Sequence, residues 1–327
     1  MTTTSVLFRL WTLAAAFAGL SASLAASGQS YPSRPVRLVV PYSTGTGIDT
    51  VSRVIAQKMA QRLGQPVVVE NRVGAGGNIG TEVVARAVPD GYTVLLVANS
   101  ISMIPNLTKL TYDPVKDLAP VALVTRGAMV LAARANLDAP TLQALIAAAK
   151  QNPGKLNYAS AGVGTPQHLA MELFKRTAGI DMLHVPHKGA AEAVTSLISG
   201  QVDVMFVPIQ SALPHIRSAK LRALGVSSPV RYATLPDTPT VAEALNAPGF
   251  EVDLWYGLFV PSQSPREAVQ VLNREMREIL VLDDVKAGLA AQGMVGAPSS
   301  PEDLRSLMLH DLARWAKVVA EAGIRAE

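Results

Sequence analysis

The sequence contains no cysteine, few aromatic residues and few charged residues. With no cysteine among its 327 residues, the chain cannot form a disulfide, a Cys-ligated metal site, a thiol nucleophile or a lipidated N-terminal cysteine. Aromatic residues make up only 5% and the formal net charge is only +4. Because no run of Lys and Arg alternates with aromatic residues, nucleic-acid binding is not expected. The hydrophobic content of 49% suffices for the cores of two globular domains at this length.

The first thirty residues have the pattern of a secretory signal. Arg9 precedes the apolar run Leu10 to Leu20, and small residues follow as far as Ala25 and Ala26. This pattern predicts a signal peptide over residues 1–26, cleaved near Ala25 or Ala26, and an exported protein. The apolar run is shorter than the roughly 20 residues of a membrane-spanning helix, and a retained N-terminal anchor is the alternative.

A strand, a loop and a helix are predicted near the start of the mature chain. The apolar run Val36 to Val40 is followed by the flexible turn Gly45-Thr46-Gly47, and the helix is expected to begin near Asp49. Such a junction directs free backbone N–H groups and the positive end of the helix dipole at one point, which favours an anion. Because the charge of Asp49 would repel an anion, Asp49 is interpreted as a helix cap that holds the loop.

The same design recurs more than a hundred residues later. A predicted strand, Leu156 to Ala159, leads into the small-residue loop Ser160 to Thr165, and Pro166 is expected at the first position of a helix that continues to Thr177. The sequence therefore predicts two anion-binding helix starts. A third helix start is expected after the segment His184 to Gly189.

Between these points, predicted strands alternate with predicted helices, which favours a mostly parallel sheet with crossover connections. The further strands are expected at Pro66 to Glu70, Tyr92 to Ala98, Val202 to Val207, Leu221 to Val226 and near Trp255 to Val260, and further helices at Thr81 to Val88, Thr141 to Lys150 and Thr240 to Leu245.

Four finer expectations concern connections and caps. The segment Asn99 to Pro114 has the composition of a loop at the end of a strand, where ligands gather in α/β sheets. Two separate apolar runs flank Arg126-Gly127, which is interpreted as a crossing between domains. Ser264 and Ser300 both have the pattern of a capping box. The C-terminal helix carries an apolar stripe that is expected in the core, formed by Leu304, Leu307, Met308, Leu312 and Trp315.

Motifs for other chemistry are incomplete. Thr50 stands where a dinucleotide fingerprint has its third glycine, and no Walker motif occurs. Pro186 separates His184 from His187, which argues against a helical metal pair, and no carboxylate completes a metal-ligand spacing. The sequence therefore predicts neither cofactor nor metal. Lys188 is either a cation that faces an acidic ligand or a solvated lysine at a turn.

A hydrolase is the enzymatic alternative. Ser160, His168 and an aspartate such as Asp181 provide the residue types of a catalytic triad, but Tyr158 occupies the first position of the Gly-x-Ser-x-Gly elbow. His168 is interpreted as a structural, hydrogen-bonding histidine, and no catalytic residue is predicted.

Several short motifs, in this order and spacing, are together specific for one protein family. They are Tyr31-Pro32-Ser33-Arg34-Pro35, Gly45 to Asp49, Gly74-Ala75-Gly76-Gly77-Asn78-Ile79-Gly80, Pro89-Asp90-Gly91-Tyr92-Thr93, Asn157 to Thr165 with His168-Leu169, His184-Val185-Pro186-His187-Lys188-Gly189, Gly200 to Val204, Ser211 to Ile216 and Leu235 to Glu243. On these residues, nearly the whole mature chain resembles the tripartite tricarboxylate transporter substrate-binding receptors, also called the Bug family.

The resemblance implies an α/β protein with the type II periplasmic-binding fold, in which two α/β domains are joined by two crossing strands and close on a ligand in the cleft between them. Domain 1 would comprise residues 28–127 and 254–327, and domain 2 residues 128–253. The ligand-binding residues that it implies are Tyr42, Ser43, Thr44, Gly45, Thr46, Gly47, Asp49, Ser100, Ser160, Gly162, Val163, Gly164, Thr165 and His168.

The implied function is that of a monomeric periplasmic receptor, not an enzyme. It would capture a small organic carboxylate, such as a dicarboxylate, tricarboxylate, aromatic acid or acidic amino acid, and deliver it to membrane transporter subunits. The alternatives are a receptor that serves a signalling partner and an exported hydrolase that uses Ser160 and His168. The chain departs from the family pattern at Ser43 to Thr46, at His187 and at Val207-Pro208, which makes the part of the ligand beyond the carboxylate specific to this protein.

Overall fold

The computed structural model describes residues 31–324. The predicted signal peptide and its cleavage site lie outside the described residues. Within these residues, no helix is both long and apolar enough to cross a membrane.

The ten strands form one curved sheet in which β4 belongs to both halves. The strands are β1 Val36–Val40, β2 Val67–Asn71, β3 Thr93–Ala98, β4 Leu118–Arg134, β5 Asn157–Ser160, β6 Leu183–Pro186, β7 Val204–Pro208, β8 Leu221–Val226, β9 Asp253–Pro261 and β10 Met294–Gly296. Their order is β2-β1-β3-β9-β4-β7-β5-β6, with β8 and β10 also paired to β4.

Helices cover both faces of the sheet. They are α1 Gly47–Leu63, α2 Asn78–Ala85, α3 Ser100–Met103, α4 Leu142–Gln151, α5 Pro166–Ala178, α6 Ala190–Ile198, α7 Ile209–Arg217, α8 Val241–Leu245, α9 Arg266–Leu280, α10 Asp283–Ala291 and α11 Pro301–Ala322. Single 3₁₀ turns occur at Ala75–Gly77 and Ile104–Asn106. The pairs β1–β2, β1–β3, β5–β6 and β5–β7 are parallel and are joined by crossover helices, as predicted. The expectation of a mostly parallel sheet was wrong, because β9 pairs antiparallel with β3, and β4 pairs antiparallel with β7, β8, β9 and β10.

The two apolar runs around Arg126-Gly127 belong to one continuous strand, β4. β4 pairs with β9 as far as Ala128 and with β7 from Met129 onward. Arg126 is the exposed position of the strand, where its guanidinium donates to Asp253 Oδ2 at 2.7 Å. A charged residue therefore interrupts the apolar pattern without ending the strand. The domain boundaries at 127/128 and 253/254 stay a prediction.

Two other expectations were wrong near the carboxyl ends of strands. The segment after Asn99 is not a loop at its start: it forms α3 and then a 3₁₀ turn. Ile101, Met103 and Ile104 of these turns are buried. The helix expected at Thr81 begins three residues earlier, at Asn78, after the left-handed Gly77 (φ +103°). The sequence pattern also missed α7, because Pro214 lies inside it.

The two proposed capping boxes had different outcomes. Ser300 Oγ accepts from the N–H of Asp303 at 3.1 Å, and the Asp303 carboxylate accepts from the Ser300 N–H at 3.2 Å, which confirms that box. Ser264 caps nothing, because α9 starts one residue too late and the Ser264 N–H donates to Pro261 O in a turn.

The apolar stripe of α11 lies against the sheet, as expected. Leu304, Met308 and Trp315 are fully buried. Leu307 and Leu312 are partly buried against the same core cluster. The indole N–H of Trp255, on β9, donates to Asp311 Oδ2 of this helix at 2.7 Å. This helix therefore anchors β9 from outside the sheet.

Candidate functional site

The first predicted loop ends in an internally bonded turn at the start of α1. Thr46 Oγ1 donates to Ser43 O at 2.7 Å, and Asp49 Oδ2 accepts from the Gly45 N–H at 2.9 Å. Thr46 is the N-cap residue and Asp49 is the third residue of the helix. The prediction that Asp49 is the cap was therefore wrong in position, although its carboxylate does bond the loop backbone.

The carboxylate of Asp49 is held by several donors. Arg53 Nη2 donates to Asp49 Oδ1 at 3.0 Å, and Asn71 Nδ2 donates to the same oxygen at 3.0 Å. Burial raises the pKa of this carboxyl, but the hydrogen bonds from Arg53, the Gly45 N–H and Asn71 outweigh burial and lower the pKa below its usual value. Asp49 thus stays ionised with its charge compensated within the loop.

Tyr42 and Ser100 form the floor beneath this loop. Tyr42 Oη and Ser100 Oγ lie 2.7 Å apart, and the Ala98 N–H donates to Tyr42 Oη at 3.2 Å. Burial raises the pKa of Tyr42 to about 12. The phenol therefore remains neutral, and it fixes the end of β3 against the loop.

The second predicted loop repeats the geometry of the first. Thr165 Oγ1 donates to Gly162 O at 2.7 Å, as Thr46 does to Ser43 O. The Gly164 N–H donates to His168 Nδ1 at 3.2 Å, four residues ahead, in the position of the Gly45–Asp49 bond. Both loops are therefore closed by the same two bonds, one from a threonine hydroxyl and one from a glycine N–H.

The hydrolase alternative, which paired Ser160 with His168, is contradicted by the partners of these two residues. Ser160 Oγ lies 2.7 Å from His184 Nε2, and Ser160 is fully buried. The His168 and His184 rings stack with centroids 4.2 Å apart. Asp181 lies at the surface, where Lys175 is its nearest ion-pair partner at 3.9 Å. The three residues therefore do not assemble into a catalytic triad.

Both stacked histidines are neutral near pH 7. Burial lowers the pKa of His168 to about 4, and burial together with the neighbouring His168 lowers the pKa of His184 to about 3. His168 also lies in the first turn of α5, where the helix dipole disfavours a cation. A neutral ring is what allows His168 Nδ1 to accept from the Gly164 N–H.

A small cavity of about 60 Å³ lies between the two loops. Among the predicted site residues, those that line it are Tyr42, Ser43, Thr46, Gly47 and Thr165. Wider spaces of about 490 Å³ and 260 Å³ adjoin it and share lining residues with it. Gly45 lines the first of these spaces, and Gly162, Val163 and Gly164 line the second.

Four of the remaining predicted residues stand behind the cavity wall, and the fifth, Thr44, is exposed, with its hydroxyl donating to Asn71 Oδ1 at 3.3 Å. Thr44, Asp49, Ser100, Ser160 and His168 line none of these three spaces. Asp49, Ser100, Ser160 and His168 are buried and bond to the loops or to neighbouring side chains. They position the residues that face the cavity.

Five helices begin at this cavity. Its wall includes the N-cap residue of α1, α2, α5, α6 and α7, which are Thr46, Gly77, Thr165, Gly189 and Pro208. None of these five helices has a side-chain cap, whereas Thr141, Thr240 and Ser300 cap three helices elsewhere. The dipoles of five helix starts therefore converge on one space. Four of these starts also present free N–H groups, whereas in α2 the N–H groups of Asn78 and Ile79 already donate to Ala75 O and Gly74 O.

The charge of the cavity wall suits an anion. Among the described residues that line it there is no Asp or Glu, and Lys188 is the one charged side chain. In the described part of the chain, no group of three or more His, Asp or Glu residues could hold a metal ion. The wall therefore offers donors and positive charge without a compensating carboxylate.

At two positions a glycine on one side of the cleft lies directly against a side chain on the other side. A Cβ built on Gly47 would lie 2.4 Å from Gln210 Nε2, and one built on Gly164 would lie 3.1 Å from Ile104 Cγ1. Gln210 Nε2 in turn donates to Tyr256 Oη at 2.8 Å. The absence of side chains at these two positions allows the loops to approach closely.

Sequence reasoning did not assign several cavity residues to the site. These are Gly74, Gly76, Gly77, Gln167, Gly189, Ser211 and Tyr256. The glycine-rich segment before α2 was a usable signal, because it also follows a strand and precedes a helix. Tyr256 gave no signal, since it lies inside an apolar strand.

Comparisons with known proteins agree on one family. The family described as "Tripartite tricarboxylate transporter family receptor" matches residues 51–324. Protein BugT of Bordetella pertussis is 36% identical over 313 residues, which cover 95% of each chain. A Pseudomonas sp. (strain P51) protein encoded in the tcbD–tcbE intergenic region is 39% identical over 300 residues, which cover 91% of this chain and 89% of that protein.

Solved structures with a similar fold include proteins with bound organic acids. An R. palustris protein solved with adipate is 33% identical, with a TM-score of 0.87, over 90% of this chain and 99% of that one. MatC from Rhodopseudomonas palustris, with bound malate, is 34% identical, with a TM-score of 0.82, over 88% of this chain and all (100%) of that one.

Proposed function

This chain belongs to the tripartite tricarboxylate transporter receptor family, and from that membership we propose that it captures a small organic carboxylate in the cavity between its two loops. The observation that carries the proposal is the convergence of five uncapped helix starts on a cavity whose wall has no carboxylate. Adipate and malate in two related structures belong to the same ligand class.

Backbone N–H groups supply the main binding interactions. Each charge-assisted hydrogen bond to a carboxylate contributes about 1.5–3 kcal/mol. Two or three such bonds, with Lys188 nearby, provide affinity without a buried Arg. The threonine and glycine bonds within each loop hold these donors in position before the ligand arrives.

Closure of the cleft completes the site. The α1 and α5 starts lie on opposite sides of the cavity, so a ligand touches both only when the two sides are together. The closed form is then favoured because only that form offers the full set of contacts. We propose that the moving units are residues 28–127 with 254–327 and residues 128–253, linked by β4 and β9.

The closed, loaded receptor is monomeric and periplasmic in this proposal, with the signal peptide cleaved near Ala25 or Ala26, and it delivers its ligand to a membrane transporter of the tripartite type. The alternative is that the loaded receptor contacts a signalling partner instead of a transporter. In this proposal Ser160 catalyses no hydrolysis, because it is fully buried and lines none of the three spaces, so its hydroxyl does not face a substrate although it lies 2.7 Å from His184 Nε2. An ester turnover assay with Ser160→Ala as the comparison tests this statement.

A thermal-shift screen tests the proposed ligand class. The purified mature protein is heated with mono-, di- and tricarboxylates, aromatic acids and acidic amino acids, and with sugars and metal cations as controls. A ligand present at 100 times its Kd stabilises the folded state by about 2.7 kcal/mol, which raises Tm by several degrees. A shift with a sugar or a cation and with no carboxylate would overturn the proposal.

A further inference from the structure

The side-chain amide of Gln167 presents an unused donor to the central cavity. Gln167 is the second residue of α5, it is 6% exposed, and it lines this cavity. Its Oε1 is enclosed by the protein and has no hydrogen-bond partner, so the accessible polar atom of the amide is Nε2. Within residues 31–324, Nε2 donates to no other residue. The side chain therefore brings free N–H bonds to the cavity and no acceptor.

Two other buried amides in the described part of the chain also have an unpaired oxygen, but their nitrogen atoms are used. Asn99 Nδ2 donates to Asp253 O at 2.8 Å, and Gln210 Nε2 donates to Tyr256 Oη at 2.8 Å. The protein therefore holds both of these side chains through their donors. Because buried polar groups are nearly always hydrogen-bonded in native proteins, the free Nε2 of Gln167 indicates a partner outside the chain.

The first residue of α5 explains why a side-chain donor is useful here. The two loops have matching N-cap residues, Thr46 and Thr165, and each is followed by the first residue of its helix. In α1 this residue is Gly47, which has a backbone N–H, whereas in α5 it is Pro166, which has none. The Gln167 amide therefore supplies at α5 a donor in place of the one that proline lacks, and an acceptor between the two helix starts can be bonded from both sides.

The cavity wall offers little to a cation. Among its described residues there is no Asp or Glu, and the charged side chain that it does have, Lys188, is positive. Ser43 and Ser211 add hydroxyl groups, each of which can accept a hydrogen bond. A neutral hydroxyl does not offset the free energy needed to take an ammonium charge out of water, because a buried charge requires an ionic partner as well as hydrogen bonds. The five helix dipoles also oppose a positive charge at this point.

These features bear on the substituent next to the ligand carboxylate. The ammonium group of a 2-amino acid is bonded to the same carbon as the carboxylate, so it cannot leave the space in which the helix starts are proposed to hold that carboxylate. There it would lie among the donors of Gln167 and of the helix starts, and it would lose water without gaining a negative partner from the wall. An acid with hydrogen in place of the ammonium group has no such cost.

We propose that Gln167 Nε2 donates a hydrogen bond to a carboxylate oxygen of the ligand and that the cavity selects acids without an ammonium group over the matching 2-amino acids. This inference rests on the carboxylate-binding function proposed above, and it narrows the ligand class from organic carboxylates in general to those that are not amino acids. Gln167 is then a specificity-determining residue, because its donor strengthens binding of the anion and opposes the cation.

Isothermal titration calorimetry on the mature protein tests the inference with three matched pairs of acids. The pairs are succinate with aspartate, adipate with 2-aminoadipate, and 3-phenylpropanoate with phenylalanine. In each pair of which a member binds the wild type, the acid without the ammonium group should bind at least about 10-fold tighter, the equivalent of about 1.4 kcal/mol. Because the pairs differ in length and in the distal group, the comparison does not depend on the part of the ligand beyond carbon 2.

Two variants of Gln167 test its role. Gln167→Met, which removes the donor at similar size, should weaken binding of the preferred acid by about 10-fold, because a hydrogen bond to a charged group is lost. Gln167→Glu, which replaces the donor with a negative acceptor, should weaken the same acid at least as much and should narrow its lead over the amino acid of the pair. Gln143→Met and Gln143→Glu, at an exposed position of α4, should behave as wild type. The Tm of each unliganded variant verifies folding.

The outcomes separate the two proposals. An amino acid that binds the wild type as tightly as its partner acid would overturn the inference while the carboxylate function stands. Unchanged or higher affinity for the preferred acid in folded Gln167→Met, or unchanged selectivity in folded Gln167→Glu, would do the same. Failure of every acid to bind the wild type would overturn the carboxylate function itself and the inference with it.

Discussion

The backbone N–H of Gly164 donates a hydrogen bond of 3.2 Å to His168 Nδ1. The bond requires an imidazole whose Nδ1 carries no proton, because a protonated ring has only donors. The conformation of the second loop is thus tied to the protonation state of one buried histidine. Gly45 makes the equivalent bond to Asp49, whose lowered pKa keeps the acceptor charged.

The first prediction concerns stability at low pH. The pKa values of His168 and His184 fall from the usual histidine value of 6.5 to about 4 and about 3 in the folded chain. The unfolded chain therefore binds more protons below pH 6.5, and the free energy of unfolding decreases as pH falls from 6.5 towards 4. Above pH 6.5 this contribution is fully present.

The measurement is Tm between pH 7.5 and pH 4.5. His168→Gln combined with His184→Gln should lose less Tm over this range than the wild type, whereas the exposed His310→Gln control should match the wild type. Parallel curves for the wild type and the double variant would contradict the prediction.

The second prediction concerns the close approach at Gly47. A Cβ at this position would lie 2.4 Å from Gln210 Nε2 and 2.5 Å from Gln210 Cγ, on the opposite side of the cleft. Gly47→Ala should therefore hinder closure and raise the ligand Kd by about 10-fold or more, the equivalent of about 1.4 kcal/mol. The Tm of the unliganded protein should change little.

A double variant tests the cause. Gly47→Ala with Gln210→Ala should bind more tightly than Gly47→Ala alone, because the clash is removed. Gly249→Ala is the control, since a Cβ there meets nothing within 4 Å. Unchanged affinity in Gly47→Ala would show that Gln210 yields without cost.

The third prediction concerns the cation at the cavity. Lys188 lines both the central cavity and the adjoining 260 Å³ space. Lys188→Gln should weaken binding of a dicarboxylate by about 2- to 5-fold, the range for a solvent-exposed ion pair, and leave a monocarboxylate nearly unchanged. The difference should shrink as salt is added.

Titrations of both acids with the wild type, Lys188→Gln and the exposed Lys150→Gln control provide the comparison. An equal loss for both acids would mean that Lys188 contacts the first carboxylate. No loss for either would mean that Lys188 is solvated at its turn.

Local signals sufficed to predict much of the fold and both loops. The strand, small-residue loop and helix start are encoded within about fifteen residues, so the second helix start at Pro166 was predicted without long-range information, and the first was predicted near Asp49, two residues after its true start at Gly47. The Ser300 capping box was predictable for the same reason. The resemblance to the receptor family then implied that both loops bind the same ligand.

Long-range pairing accounts for what the sequence did not reveal. Ser160 meets His184 only because β5 and β6 lie side by side, with Tyr158 opposite His184. The continuity of β4 through Arg126 depends on its partner Asp253, more than a hundred residues away.

The five uncapped helix starts have a consequence for the motions of the empty protein. A bound carboxylate would act as one shared cap for helices that are far apart along the chain, so the first turns of α1, α5, α6 and α7 would gain protection as a group. In hydrogen exchange, the amides of these turns should slow together on binding, whereas the first turns of α4, α8 and α11, already capped by Thr141, Thr240 and Ser300, should keep their rates. Ligand binding would thus slow hydrogen exchange at the N-termini of those cavity-lining helices that have no side-chain cap.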